Sequence, residues 1–150
     1  MKKISILTGK PAMTGRIFVD SNIWIYLFAE DDNEKSRISR KFILEKANDN
    51  HLITSFQVIN EVCRILKKKK FTEEKLRFVI NYLTKICEIH KSTVELSLKA
   101  SELRENHNFS FWDSHIVAHA IDAQSDFLAS EDMQNNYGIH GMIIKNIFES

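Results

Sequence analysis

The chain is poor in the residues that punctuate or staple a fold. It has one proline and four glycines, and the glycines are scattered, so there is no Gly-rich loop of the kind that cradles nucleotide phosphates. Cys63 and Cys87 are the only cysteines. They form no CxxC pair, which argues against a disulfide framework and a zinc site and fits a reducing, cytoplasmic setting. No apolar stretch approaches the roughly 20 residues that cross a bilayer, and the opening segment MKKISILTGKPAMTG is too polar for a secretory signal. No membrane role is expected. Charge of one sign is not in excess either: the formal net charge is +1, so affinity for nucleic acid has to come from a local basic surface.

What the chain does have is apolar material. At 43% hydrophobic over 150 residues, one domain can bury a full core without staples. The only proline and two of the glycines fall within residues 1–15, and the core pattern begins at Arg16. Residues 1–15 are therefore expected to be a flexible extension and 16–150 the folded domain. Residues 16–20, 51–55, 86–90, 126–130 and 142–145 read as short buried strands. Residues 23–28, 34–47, 56–69, 72–85 and 93–106, and a segment from Ser110, read as helices. Ser21 and Asn22 supply cap chemistry for the first of them. Short apolar strands alternating with helices are the pattern of a parallel sheet covered on both faces, an α/β fold whose ligands bind beyond the carboxyl ends of its strands.

Four acids stand at informative places in that pattern. Asp20 closes the first strand and Asp132 follows the run 126–130. Glu61 sits at the edge of the helical arc formed by Val58, Val62 and Ile65. Asp113 lies on the apolar side of its helix, within about 60° of Ile116, Val117 and Ala120. Each has an ordinary structural explanation: a strand-end cap, a solvated helix face, a capping box with Ser110, a loop acid. Together they are carried to one sheet edge, where several carboxylates hold Mg2+ or Mn2+ against a phosphodiester. The expectation is a metal-dependent nuclease. A cation there lowers the pKa of a water that attacks phosphorus in line, leaving a 5' phosphate and a 3' hydroxyl.

Other signals are weaker. His115 and His119 have the i, i+4 spacing of a zinc helix, but the same winding puts them about 160° and 120° from Asp113. They are expected at the surface or in a subunit contact. Lys67 to Lys70 end a helix and complement its dipole; with Arg64 one turn earlier, Lys67 and Lys68 are also candidates for gripping phosphates. Trp24 and Trp112 flank the acidic motifs and are read as core in preference to base-stacking platforms.

The stretches Val19-Asp20-Ser21-Asn22, Ile59-Asn60-Glu61-Val62, Phe111-Trp112-Asp113-Ser114-His115-Ile116 and Ser130-Glu131-Asp132-Met133 resemble, in order and spacing, the successive motifs of PIN-domain ribonucleases. The toxin subunits of VapBC-type toxin–antitoxin pairs are the most similar group. The resemblance covers residues 16 to about 148. It implies a PIN-like α/β/α sandwich on a central parallel sheet and a Mg2+- or Mn2+-dependent endoribonuclease. Asp20, Glu61, Asp113 and Asp132 match the family's acids, and the Ser21 hydroxyl stands near the metal. Glu131 competes with Asp132 for the fourth place, with the alignment of Ser130 favouring Asp132. The implied partners are an RNA substrate, a cognate antitoxin and a second copy of the chain. A PIN nuclease of RNA processing and a catalytically silent PIN-like binding module remain open alternatives, whereas a flap-cutting DNA nuclease lacks room for its helical arch.

Overall fold

A computed structural model describes residues 4–5, 10–11, 13–49 and 51–149. Most of the expectation for residues 1–15 lies outside the described residues; within that segment β1 (Ile4–Ser5) and β2 (Lys10–Pro11) pair antiparallel. The domain then runs β3 (Arg16–Val19), α1 (Ser21–Ala29), α2 (Asn33–Asp49), β4 (His51–Ser55), α3 (Phe56–Lys68), α4 (Glu73–Ile86), β5 (Glu88–His90), α5 (Val94–Asn106), α6 (Phe111–Asp122), β6 (Phe127–Ala129), β7 (Tyr137–Ile139) and β8 (Met142–Lys145). The alternation read from hydrophobic spacing is present. Caps explain where several helices start: Ser55, Thr72, Thr93 and Ser110 each accept from the backbone N–H three residues on, satisfying a donor that the helix cannot. At α1 the helix begins at Ser21, and the cap is Asp20 instead of Ser21 or Asn22.

Six strands form one sheet in the order β5-β4-β3-β6-β8-β7. All neighbours are parallel except β7 and β8. The antiparallel β7 was not expected: it is only three residues long and has glycine at its centre, so it carries no alternation to read. Its pairing is set by the turn. Ile139 faces Met142 across His140 and Gly141, both at positive φ, the backbone that a two-residue hairpin needs to match strand twist. The fold is an α/β/α sandwich on a mixed, mostly parallel sheet. On one side α5 packs on α6, while α1 packs on α2 and α3, and α3 on α4. Ile17, Phe18, Val19, Ile53, Leu128 and Ile144 are fully buried between these layers, as expected for strands covered on both faces.

The chain steps outward from β3 through β4 to β5, then crosses back to place β6 on the other flank of β3. That reversal opens a crevice at the carboxyl ends of β3 and β6. The opposite ends of the two strands are clamped: Arg16 N–H donates to Asp126 Oδ2 at 2.9 Å, and Asp126 N–H donates to the Arg16 carbonyl at 2.8 Å. Gly15 permits this approach, since it has φ +86° and a Cβ there would lie 2.2 Å from Asp126 Oδ2. Among the described residues no helix is long and apolar enough to cross a membrane.

Candidate active site

Asp20, Ser21, Glu61, Asp113 and Asp132 line one cleft of about 90 Å3, together with Gln57, Val58, Trp112 and Ile116. Topology brings them there. Asp20 is the residue after β3, Asp132 lies three residues past β6, and Glu61 and Asp113 ride in the N-terminal halves of α3 and α6. Both helices run back antiparallel to the strands, so their N-termini stand at the strands' carboxyl edge.

Asp20 is the most constrained of the acids. It is only 6% exposed; its Oδ1 accepts from Ser21 N–H at 2.7 Å and its Oδ2 from the Ser130 hydroxyl at 2.8 Å. Burial pushes its pKa up to about 6, against those two hydrogen bonds, and the negative charges of Asp113 and Asp132 push the same way. Asp113 is half-buried and also raised, by desolvation first and then by Asp132 and Glu61, with the Ser110 hydroxyl opposing. Its N–H donates to Ser110 Oγ at 3.2 Å. The residue is therefore part of a helix cap and part of the cleft at once.

The two acids after β6 part ways. Asp132 faces the cleft, where its Oδ2 accepts from Asn22 Nδ2 at 3.1 Å. Glu131 turns toward α1 and α2, accepting from the Tyr26 hydroxyl at 2.7 Å and pairing with Lys35. Asn22 serves both strands' ends, because its Oδ1 accepts from Glu131 N–H at 3.3 Å. Neither Asn22 nor Ser130 was singled out from sequence as a positioning group. The signal was available only as their adjacency to Asp20 and Asp132.

A larger hollow of about 600 Å3 adjoins the cleft and is lined by Gln57, Asn60, Glu61, Arg64 and Trp112. Arg64 Nη2 lies 3.7 Å from Glu61 Oε1. Of the expected basic residues, Arg64 alone lines this hollow. Lys68 continues the row Gln57, Glu61, Arg64 within about 60° on the winding of α3, one turn farther out. Lys67 points off the row and pairs with Glu73 at 2.6 Å, so it is not brought to the cleft. On the other flank Asn108, Phe109, Met133, Gln134 and Tyr137 line a hollow of about 280 Å3 with Asp113 and Asp132.

Two expectations are corrected. His119 is buried, with Nδ1 2.9 Å from His90 Nδ1 and Nε2 3.3 Å from Ser92 Oγ; its ring also meets Phe18 of β3, so this part of α6's second face is not a surface. Burial lowers the His119 pKa to about 4. His115 is half-buried, and its ring packs on Phe111 and Trp112. Trp112 is not core. Trp24 is fully buried, with Nε1 donating to the Val19 carbonyl at 3.2 Å, but the first turn of α6 borders open grooves and leaves the Trp112 indole in solvent.

The donor set fits a hard divalent cation. The side chains lining the cleft that can bind a metal, Asp20, Ser21, Gln57, Glu61, Asp113 and Asp132, offer oxygen atoms. Among the described residues no three acids, histidines or cysteines stand close enough together to form a ready-made coordination group.

The fold is shared with known structures. VapC20 of Mycobacterium tuberculosis, a sarcin-ricin loop cleaving toxin, superposes with a TM-score of 0.62 at 21% identity, covering 75% of this chain and 86% of that one. VapBC2 from Rickettsia felis, bound to a DNA fragment from its promoter, gives 0.64 at 19% identity over 87% and 98%. A toxin–antitoxin complex from Klebsiella pneumoniae gives 0.68 at 20% identity over 89% and 99%. No curated protein matches the chain in sequence at the same stringency. The family model of the PIN domain matches residues 17–137, a span that includes all four cleft acids, and the chain belongs to the PIN-domain family.

Proposed function

We propose that the protein is a Mg2+- or Mn2+-dependent endoribonuclease and the cytoplasmic toxin of a type II toxin–antitoxin pair. The observation that carries this reading is the convergence of Asp20, Glu61, Asp113 and Asp132 on one cleft at the sheet's switch point. Asp20 and Asp113 would anchor the cation, with Glu61 and Asp132 completing its surroundings directly or through water. A divalent cation held there supplies positive charge against the phosphodiester and lowers the pKa of the attacking water. Ser130 and Ser21 fix the two Asp20 oxygens, and Asn22 fixes Asp132, so the acids are oriented before substrate arrives. Arg64 and Lys68 lie along the path of the phosphate backbone.

The proposed partners are RNA, a small antitoxin and a second copy of the chain. Toxin–antitoxin complexes among the similar folds support the antitoxin. The dimer reading rests on apolar surface. Leu76, Val79 and Leu83 of α4 go into the protein's own core, but Phe78 stays 65% exposed on the same helix, and Val94 and Leu98 are exposed on α5. Sedimentation at tens of micromolar protein tests it, and a monomer contradicts it.

The function is tested by incubating the purified protein with RNA and Mg2+ or Mn2+. Internal cuts leaving 5' phosphates are expected, and they should stop with EDTA and return with Mn2+. Cleavage undiminished after exhaustive chelation contradicts the metal reading.

A further inference from the structure

The exposed indole of Trp112 is the one large feature of the cleft that the chemistry above leaves without a role. It is 64% exposed, an unusual state for the largest side chain beside four carboxylates, and it is held in place instead of hanging free. Phe111 meets its ring edge-on at 5.1 Å and His115 lies at 5.8 Å; the Arg104 guanidinium in turn sits 4.4 Å over Phe111. Trp112 borders both the acid cleft and the 600 Å3 hollow, and the rest of that hollow is polar: two side-chain amides, Gln57 and Asn60, then Glu61 and Arg64. A flat aromatic face, amide groups able to donate and accept, and a guanidinium are the components that bind an unpaired nucleotide by its base face, base edge and phosphate.

We propose that the nucleotide next to the scissile phosphate stacks on Trp112, presents its base edge to Asn60 and Gln57, and places its phosphate against Arg64. The inference rests on the nuclease reading and narrows its substrate: bases inside a duplex have both faces covered, so the target is a loop, bulge or single strand. A hollow of this size is within the range of small-ligand sites, and one aromatic face beside two amides and a guanidinium favours a nucleotide over an apolar peptide. Asn60 and Gln57 make the choice of flanking base a property of α3.

The two tryptophans make the test direct. Trp24 is sealed in the core, so a fluorescence change on adding a short unstructured oligoribonucleotide, with Ca2+ in place of Mg2+, reports on Trp112. Quenching by that RNA and not by the same sequence as a duplex is expected. Trp112→Ala should weaken binding roughly 5- to 150-fold, the span of one base–aromatic stack, raising KM far more than it lowers kcat, and Trp112→Phe should restore most of the loss. Asn60→Ala should change the base preferred beside the cut in a randomised RNA. RNA that is bound and cut with unchanged fluorescence and an unchanged KM in Trp112→Ala overturns the stacking site while leaving the nuclease intact. A protein that neither binds nor cuts RNA, with Trp112 shielded only by a protein partner, overturns both.

Discussion

The hydroxyl of Ser130, at the end of β6, donates to Asp20 Oδ2, at the end of β3, across 2.8 Å with both residues buried. One hydrogen bond thus ties together the two strands that bound the crevice and fixes the acid on which the site turns. It does not offset the cost of burying that charge, since the Asp20 pKa still stands at about 6 against an ordinary 3.8.

The consequence is a pH-dependent stability. A carboxyl whose folded pKa is raised binds its proton more tightly folded than unfolded, so stability is full below about 3.8 and falls as pH rises through about 6. In EDTA, Asp20→Asn should therefore be more stable than wild type at neutral pH by about 1–3 kcal/mol, with the gap closing toward the acid end of that window. Melting curves across the range check it; a variant no more stable at neutral pH contradicts the buried-charge account.

Asn22 is expected to act through Asp132. Its Nδ2 is a hydrogen-bond donor to that carboxylate, and losing such a group behind a ligand costs about 10–100-fold in metal affinity or activity. Calorimetry with Mn2+ should show this loss for Asn22→Ala with little change in melting temperature. Glu131→Gln, by contrast, should leave Mn2+ affinity as it was, because Glu131 is engaged with Tyr26 and Lys35.

The basic residues of α3 should separate by helical face. Arg64→Gln and Lys68→Gln should each flatten the salt dependence of RNA binding by about 0.7 in the log–log slope, the value for one phosphate contact on a single strand. Lys67→Gln should leave the slope alone, since Lys67 pairs with Glu73 off the row. Equal effects at all three positions would point to a diffuse basic surface instead of a track.

Much of this site was legible because the residues that matter have two reasons to be where they are. Asp113 sits in the first turn of α6, where its N–H meets the Ser110 cap, and faces the helix's apolar side, and both properties show in the spacing Ser110, Asp113, Ile116, Val117. Asp20 and Asp132 follow strands, and the carboxyl edge of a parallel sheet collects such residues whatever the loops do. The features that escaped depend on contacts between distant segments. His119 reads as outward on its own helix and is buried against His90, Ser92 and Phe18, residues distant in sequence; Trp112 reads as core and is exposed because the first turn of α6 borders grooves. The partnerships of Ser130 with Asp20 and of Asn22 with Asp132 span 110 residues, and no local pattern encodes them. Strand β7 escaped because a turn, and not hydrophobic alternation, sets its pairing.

The central claim is that the cleft acids act as a metal-holding unit, and Asp113→Asn tests it most directly. The substitution keeps the size of the side chain and a capping oxygen while removing the charge, so the fold is expected to survive. RNA cleavage with Mn2+, followed for wild type and variant at equal RNA occupancy, should fall by at least about 100-fold, the loss of roughly 3 kcal/mol of transition-state stabilisation. A variant that cuts RNA at the wild-type rate and binds Mn2+ as tightly would make Asp113 a helix cap alone and contradict the account.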